Sequence, residues 1–260
     1  MKILHSTVPQ LLEAQNGYEQ YLQLKQIYDL SVEDFLRPTP ESYNDDNGIL
    51  HIYVNGFLSD VHPRVQNLLG NQSYEFLLES LEGTKAKGLF IHVRSGGGMA
   101  CGVAEVCDKI ESLGIPTLAY GSGIMGSAAY RIAASCDWVG ASQSTDVGSI
   151  GTVLAFIDKS PLLKAAGARI HVFTNEGATY KGIGLDELSK EQAEYLQSKV
   201  NQSGNEFKEY IKTRRPHVSE QVFSAITANG EQAGELGLVD FIGTEKEAYD
   251  FLLGKTLNIL

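Results

Sequence analysis

The chain has 260 residues and a formal net charge of −11. That length supports one substantial core, and the acidic balance repels phosphate backbones and anionic lipid headgroups, which argues against nucleic acid and membrane surfaces as partners. Hydrophobic residues at 43%, charged residues at 20% and 27 glycines exclude a disordered or low-complexity chain and fit a compact α/β protein.

Residues 1–47 mix polar, aromatic and proline residues and end in the turn-rich PTPESYNDDNG. They are expected to form an N-terminal arm, part of it helical, ahead of a single domain over 48–260. Neither the first twenty residues nor any later stretch holds the apolar run of a signal peptide or a membrane span, so a cytoplasmic location is expected. ILHIYVNGF (49–57) reads as the first core strand, SYEFLLESLEG as a helix and GLFIHV (88–93) as a strand running into glycines. Residues 100–113 have helical spacing, PTLAYG reads as a strand, GSAAYRIAASC as a helix and DWVGA as a strand. Such alternation predicts a parallel sheet with right-handed crossovers. VGSIGTVLAF, a helix near 159–167 and a strand RIHVFT (169–174) continue the pattern. SKEQAEYLQSKVNQSGNEFKEYIKTRR (189–215) predicts a long amphipathic helix opened by Ser189, with Glu191 and Gln192 in its first turn. The last elements end in GLVDFIG.

Cys101, Cys107 and Cys136 lie in apolar segments without metal-ligand spacing and read as reduced core thiols. Among the six histidines, His92 and His171 fall inside expected strands, whereas His5, His51, His62 and His217 show no pairing motif. With no HExxH or similar spacing, no metal and no organic cofactor is expected.

Four segments could carry chemistry. RSGGG (94–98) follows a strand, and its adjacent glycines leave backbone N–H groups open for an anion or oxyanion, or simply make a turn; it fits neither a Walker loop nor a dinucleotide fingerprint. Ser127 stands where an alanine-rich helix should begin, as a nucleophile beside free N–H groups and a positive dipole end or only as an N-cap. Ser149 lies in TDVGSIGT. Lys181, in TYKGIG, is either a solvated surface group or a base whose pKa is lowered by apolar neighbours such as Tyr180 and Ile183.

In this order, RSGGG, GIMGSAAYRIAASCD, DVGSIGT, TYKGIGLDELSKEQ and GELGLVD resemble the signal peptide peptidase A family of Ser/Lys serine peptidases, over roughly residues 49–243. The resemblance implies a Clp protease/crotonase-like α/β fold, with parallel-sheet ββα units and C-terminal helices. It makes Ser127 the nucleophile, Lys181 the general base and Ser149 the residue orienting the lysine. Backbone N–H groups of Gly98 and Ala128 would form the oxyanion hole, with Gly97 supporting the loop. The implied reaction is acyl transfer: neutral Lys181 deprotonates Ser127, the alkoxide attacks a peptide carbonyl, and water later hydrolyses the acyl-enzyme. An oxyanion donor of this kind is worth about 3 to 4 kcal/mol, and general-base help about 10²- to 10⁴-fold.

The chain departs from the family pattern at Gly96, where proline is usual and whose absence should loosen the loop, and at Gly126, where alanine is usual. The resemblance also implies a ring-like homo-oligomer, in some members with serine and lysine from neighbouring subunits, and small or apolar residues before the scissile bond. Within the family the expected branch is the phage head maturation protease, processing scaffold and capsid proteins inside the prohead, with a soluble bacterial signal-peptide-peptidase-like enzyme as the alternative. Two other classes stay open on the same fold: an acyl-CoA enzyme, which would need carboxylates rather than Ser127 and Lys181, and a non-catalytic assembly protein.

Overall fold

The computed structural model describes residues 42–60, 71–155, 157–184 and 187–257. Ser42–Asn44 (β1) runs antiparallel to Ile49–Ser59 (β2), so the end of the expected arm is part of the sheet. The rest of the arm, with its expected helix, lies outside the described residues. Asn71–Ser73 (β3) leads into Tyr74–Leu81 (α1), capped by Ser73, whose hydroxyl accepts the Glu75 N–H at 3.1 Å. Gly88–Gly98 (β4), Val103–Glu111 (α2), Thr117–Gly126 (β5), Ser127–Ala134 (α3) and Trp138–Ala141 (β6) follow as alternating strands and helices.

Strands β2, β4, β5 and β6 pair in parallel in that order. Parallel sheets are covered on both faces, which is why LFIHV and TLAY read as nearly continuous apolar runs. On one face Leu50, Ile52, Val54, Ile91 and Val93 join a large core with residues of α1, α2 and α3. On the other, Ile49, Phe90, Leu118 and Tyr120 pack on Ala248 and Leu252 of Glu245–Thr256, the C-terminal helix.

Asp146–Gly148 (β7) extends the upper end of β5 and bridges to Thr227–Ala228 (β8). Ser160–Ala165 (α4) matches the expected helix near 159–167. The strand expected at 169–174 does not form: no described strand pairs with it, all its residues but the partly buried Ile170 lie open to solvent, and Phe173 is 92% exposed. A lone strand has nothing to satisfy its backbone, whatever its propensity.

Lys190–Arg214 (α5) opens with the expected Ser189 cap, completed by Gln192 as a reciprocal capping box. At its far end Arg214 donates to the carbonyls of Ala134, Ser135 and Cys136 at 3.0, 2.9 and 3.1 Å, satisfying orphan groups at the C-terminal end of α3. Arg215 holds Asp240 of the GLVD motif in a two-pronged pair at 2.8 and 2.9 Å, and Asp240 also accepts the Val139 N–H at 2.7 Å. Gly230–Glu235 (α6), Phe241–Ile242 (β9, beside β6) and the C-terminal helix (α7) complete the described chain.

Three expectations are corrected. Cys107 and Cys136 are buried free thiols, but Cys101 is exposed, because it falls in the turn before α2. His51 does have a partner: the register of β2 and β4 puts it on the same face as His92, with Nδ1 2.9 Å from Nε2 of that ring. His171 lies in the open segment rather than in a strand.

Candidate active site

β5 runs straight into α3, and the junction is Gly126–Ser127. Ser127 has φ 51°, in the left-handed region, and takes no capping role: the cap position is Gly126, with no side-chain capping bond. The N-cap reading of this serine therefore falls, and its half-buried hydroxyl faces a cavity. A side chain held at positive φ costs about 1 to 3 kcal/mol, which the flanking strand and helix must sustain.

The glycines of β4 press against this junction from below. Gly97, at φ 105°, lies so close that a Cβ there would stand 2.7 Å from Ser127 Cβ and 2.9 Å from the Ala128 nitrogen. Gly98 is packed on β2, where a Cβ would stand 1.9 Å from the Leu58 carbonyl oxygen. Ser95, buried, locks the strand end: its hydroxyl donates to Gly56 O at 2.5 Å and accepts the Gly97 N–H at 3.1 Å. Residues 94–98 are thus a paired strand rather than the loosened loop expected from Gly96, because Phe57 and Leu58 register with Gly97 and Gly98.

Ser127, Ser149, Gly97 and Gly98 line one cavity of about 610 Å³. Ser149 is also at positive φ, 52°, and its N–H donates to Ile226 O at 2.8 Å. A second cavity of about 490 Å³ adjoins it, sharing Ser127, Gly98 and Phe57 and adding Ala128, Met99 and Arg131. Ala128 follows Ser127 in the first turn of α3, where N–H groups have no helical acceptor. Lys181 is not brought to this place. It sits on an exposed turn, where its N–H donates to Ala178 O at 3.0 Å, and lines neither cavity.

Sequence reasoning missed Ser95 as an organiser of the glycines, although it stands inside RSGGG, and it missed Arg131. The signal for Arg131 was a lone cation one turn after Ser127 in an otherwise apolar helix. No group of three or more potential metal ligands occurs among the described residues, and none of their helices is long and apolar enough to cross a membrane.

The model of peptidase family S49 matches residues 109–255, more than half of the chain. The chain belongs to peptidase family S49. The S49 span includes Ser127, Ser149 and Lys181 and leaves the glycines of β4 outside it. Among S49-like relatives, a protein provisionally named a protease in Methanocaldococcus jannaschii is 33% identical over 184 residues, 67% of this chain and 58% of its own length. A protein of Enterococcus faecium provisionally named a signal peptide peptidase is 29% identical over 233 residues, 82% of this chain and 65% of its own. A third, from Synechocystis and provisionally named a protease, is 31% identical over 178 residues, covering 66% and 64%. The S49 chain thus spans less than two thirds of each of these relatives' length. Its sheet is mainly parallel, flanked by helices in a mixed α/β arrangement.

Proposed function

We propose that the chain is a serine endopeptidase that cleaves peptide bonds by acyl transfer through Ser127, on a Clp protease/crotonase-like fold. The observation that carries the reading is the placement of Ser127. It stands at positive φ where β5 enters α3, faces a cavity, and has the Gly97 backbone against its Cβ. In this reading the N–H groups of Gly98 and Ala128 stabilise the oxyanion, and Ser149 orients the amine of Lys181. A preorganised donor pair of this type lowers the barrier because it is already aimed where charge develops.

Lys181 must come to Ser127 for this chemistry. We assign that step to association: Lys181 of one copy completes the cavity of its neighbour in a homo-oligomer. The exposed apolar residues of the segment that carries it support this assignment. No cofactor enters the scheme. Two relatives carry the name of a protease and one that of a signal peptide peptidase, which favours a signal-peptide-peptidase-like enzyme acting on polypeptides over the narrower reading of scaffold and capsid processing in a phage head.

The test is hydrolysis of casein by wild type, Ser127→Ala and Lys181→Ala from pH 6 to 10, with circular dichroism to check folding. Both variants should lose at least about 10³-fold in rate, and wild-type activity should rise with pH, since only a neutral amine accepts the proton. Full activity in Ser127→Ala would sink the reading, and turnover of acyl-CoA by that variant would replace it with the acyl-CoA class.

A further inference from the structure

Arg131 stands one helical turn after Ser127 on α3, and both side chains line the 490 Å³ cavity. Positions i and i+4 share a helix face, about 6 Å apart along the axis. The guanidinium carbon lies 4.7 Å from the Tyr210 ring centre and 5.9 Å from that of Phe207, so two aromatic faces hold the cation. Its Nε is fully buried with no hydrogen-bond partner among the described residues. The nearby carboxylate, Glu111, is engaged elsewhere: it accepts from Tyr210 Oη at 2.6 Å and lies 3.9 Å from Arg214 Nε.

The rest of the cavity sharpens the point. Phe57, Met99, Val103, Val200 and Phe207 give apolar walls, Lys199 adds a second cation, and no carboxylate lines it among the described residues. Arg131 as a whole is only partly buried, but a guanidinium donor cut off from water with no acceptor is unfavourable, and an arriving carboxylate oxygen relieves it. This one is kept in a chain whose net charge is −11, so acidic side chains to neutralise it are abundant elsewhere in the molecule. The charge complementary to this cavity is an incoming carboxylate.

We infer that the cavity receives the side chain on the acyl side of the scissile bond, and that Arg131 selects glutamate there. The inference rests on the peptidase reading and deepens it. The cavity shares Gly98, Ser127 and Ala128 with the attack site. A substrate whose carbonyl oxygen is held by the N–H groups of Gly98 and Ala128 therefore directs the adjoining side chain past α3, toward Arg131. Glutamate has two methylenes to lie on the apolar walls and a planar carboxylate that matches the guanidinium fork; aspartate is one methylene shorter. This replaces the small or apolar preference implied by family resemblance.

The test uses coumarin amides of Ala-Ala-Glu, Ala-Ala-Gln and Ala-Ala-Leu. Wild type should cleave the glutamyl peptide about 10- to 100-fold more efficiently in kcat/KM than the glutaminyl one, the range of a hydrogen bond to a charged group. In Arg131→Met the ratio should fall to near unity, and in Arg131→Lys part of it should survive. The same peptides are bound to Ser127→Ala, with affinity read by fluorescence anisotropy. If wild type cleaves the leucyl peptide best and shows no glutamyl preference, the pocket assignment is overturned and the peptidase reading stands. If nothing is cleaved but Ser127→Ala binds the glutamyl peptide preferentially, the carboxylate site stands and the peptidase reading falls. No cleavage and no preference overturns both.

Discussion

The backbone around Ser127 tolerates almost no added atom, and adjacent glycines differ sharply in this respect. A Cβ on Gly98 would meet the Leu58 carbonyl oxygen at 1.9 Å and its nitrogen at 2.5 Å, both backbone atoms that cannot turn away. A Cβ on Gly96 would meet only Ile124 Cδ1, at 3.5 Å, an ordinary contact. Gly98→Ala should therefore force β2 and β4 apart, cost about 1 to 3 kcal/mol as other overpacked sites do, and displace the N–H proposed for the oxyanion. Gly96→Ala should leave the melting temperature within a few degrees of wild type. Parallel thermal melts and casein assays decide it; equal tolerance of both substitutions would contradict the close approach. At this scale the structure brings Ser127, Ser149, Gly97 and Gly98 to one cavity, and these residues were singled out by five motifs in the order that resembles one family, not by any local signal alone. Arg131 was not, because its meaning depends on what fails to pair with it across α5.

The elements were legible where tertiary structure agrees with local pattern. The apolar runs of β2, β4 and β5 and the Ser189 cap of α5 needed nothing from elsewhere in the chain, whereas the alternation of RIHVFT promised a strand that no described strand completes. The His51–His92 contact was hidden for a related reason: two histidines 41 positions apart meet only through the register of β2 with β4. It joins two elements across the sheet, since His51 Nε2 lies 3.4 Å from Asp45 Oδ2 in the β1–β2 turn and His92 Nδ1 lies 3.0 Å from Glu245 Oε1 at the start of α7. Tyr43, Tyr53 and Tyr249 stack around the pair, and Tyr249 also donates to Asp45. Burial, helped by the neighbouring His51, lowers the His92 pKa to about 4; Glu245 is half exposed, so solvent weakens its opposing pull. Between pH 6.5 and about 4 the unfolded chain binds a proton at this histidine that the folded chain lacks. Stability should therefore be full above pH 6.5 and fall as pH drops through that window. Urea midpoints at pH 7 and 4.5 should show a smaller acid loss in His92→Gln than in wild type, and equal losses would remove His92 as a cause.

Across the whole molecule, exposed apolar side chains gather on one stretch. Val153 is 87% exposed, Leu162 70% and Phe173 92%, and Ile157, Val172 and Tyr180 are also open. Isolated surface leucines need no explanation, but such a concentration exceeds scattered exposure and is the kind of surface that protein contacts use. Lys181 directly follows this stretch, while the cavity that lacks it holds Ser127. A neighbouring copy of the chain would satisfy both needs at once, covering the apolar residues and delivering the amine. Complementation separates this from a site built within one chain. Ser127→Ala and Lys181→Ala, each inactive alone, should recover activity when dissociated and reassociated together, because a serine of one variant then meets a lysine of the other. In an equal, randomly assorted mixture about a quarter of the sites would be intact. If sedimentation shows mixed oligomers and activity stays at background, serine and lysine must come from the same chain, and the segment carrying Lys181 would have to fold back over its own cavity.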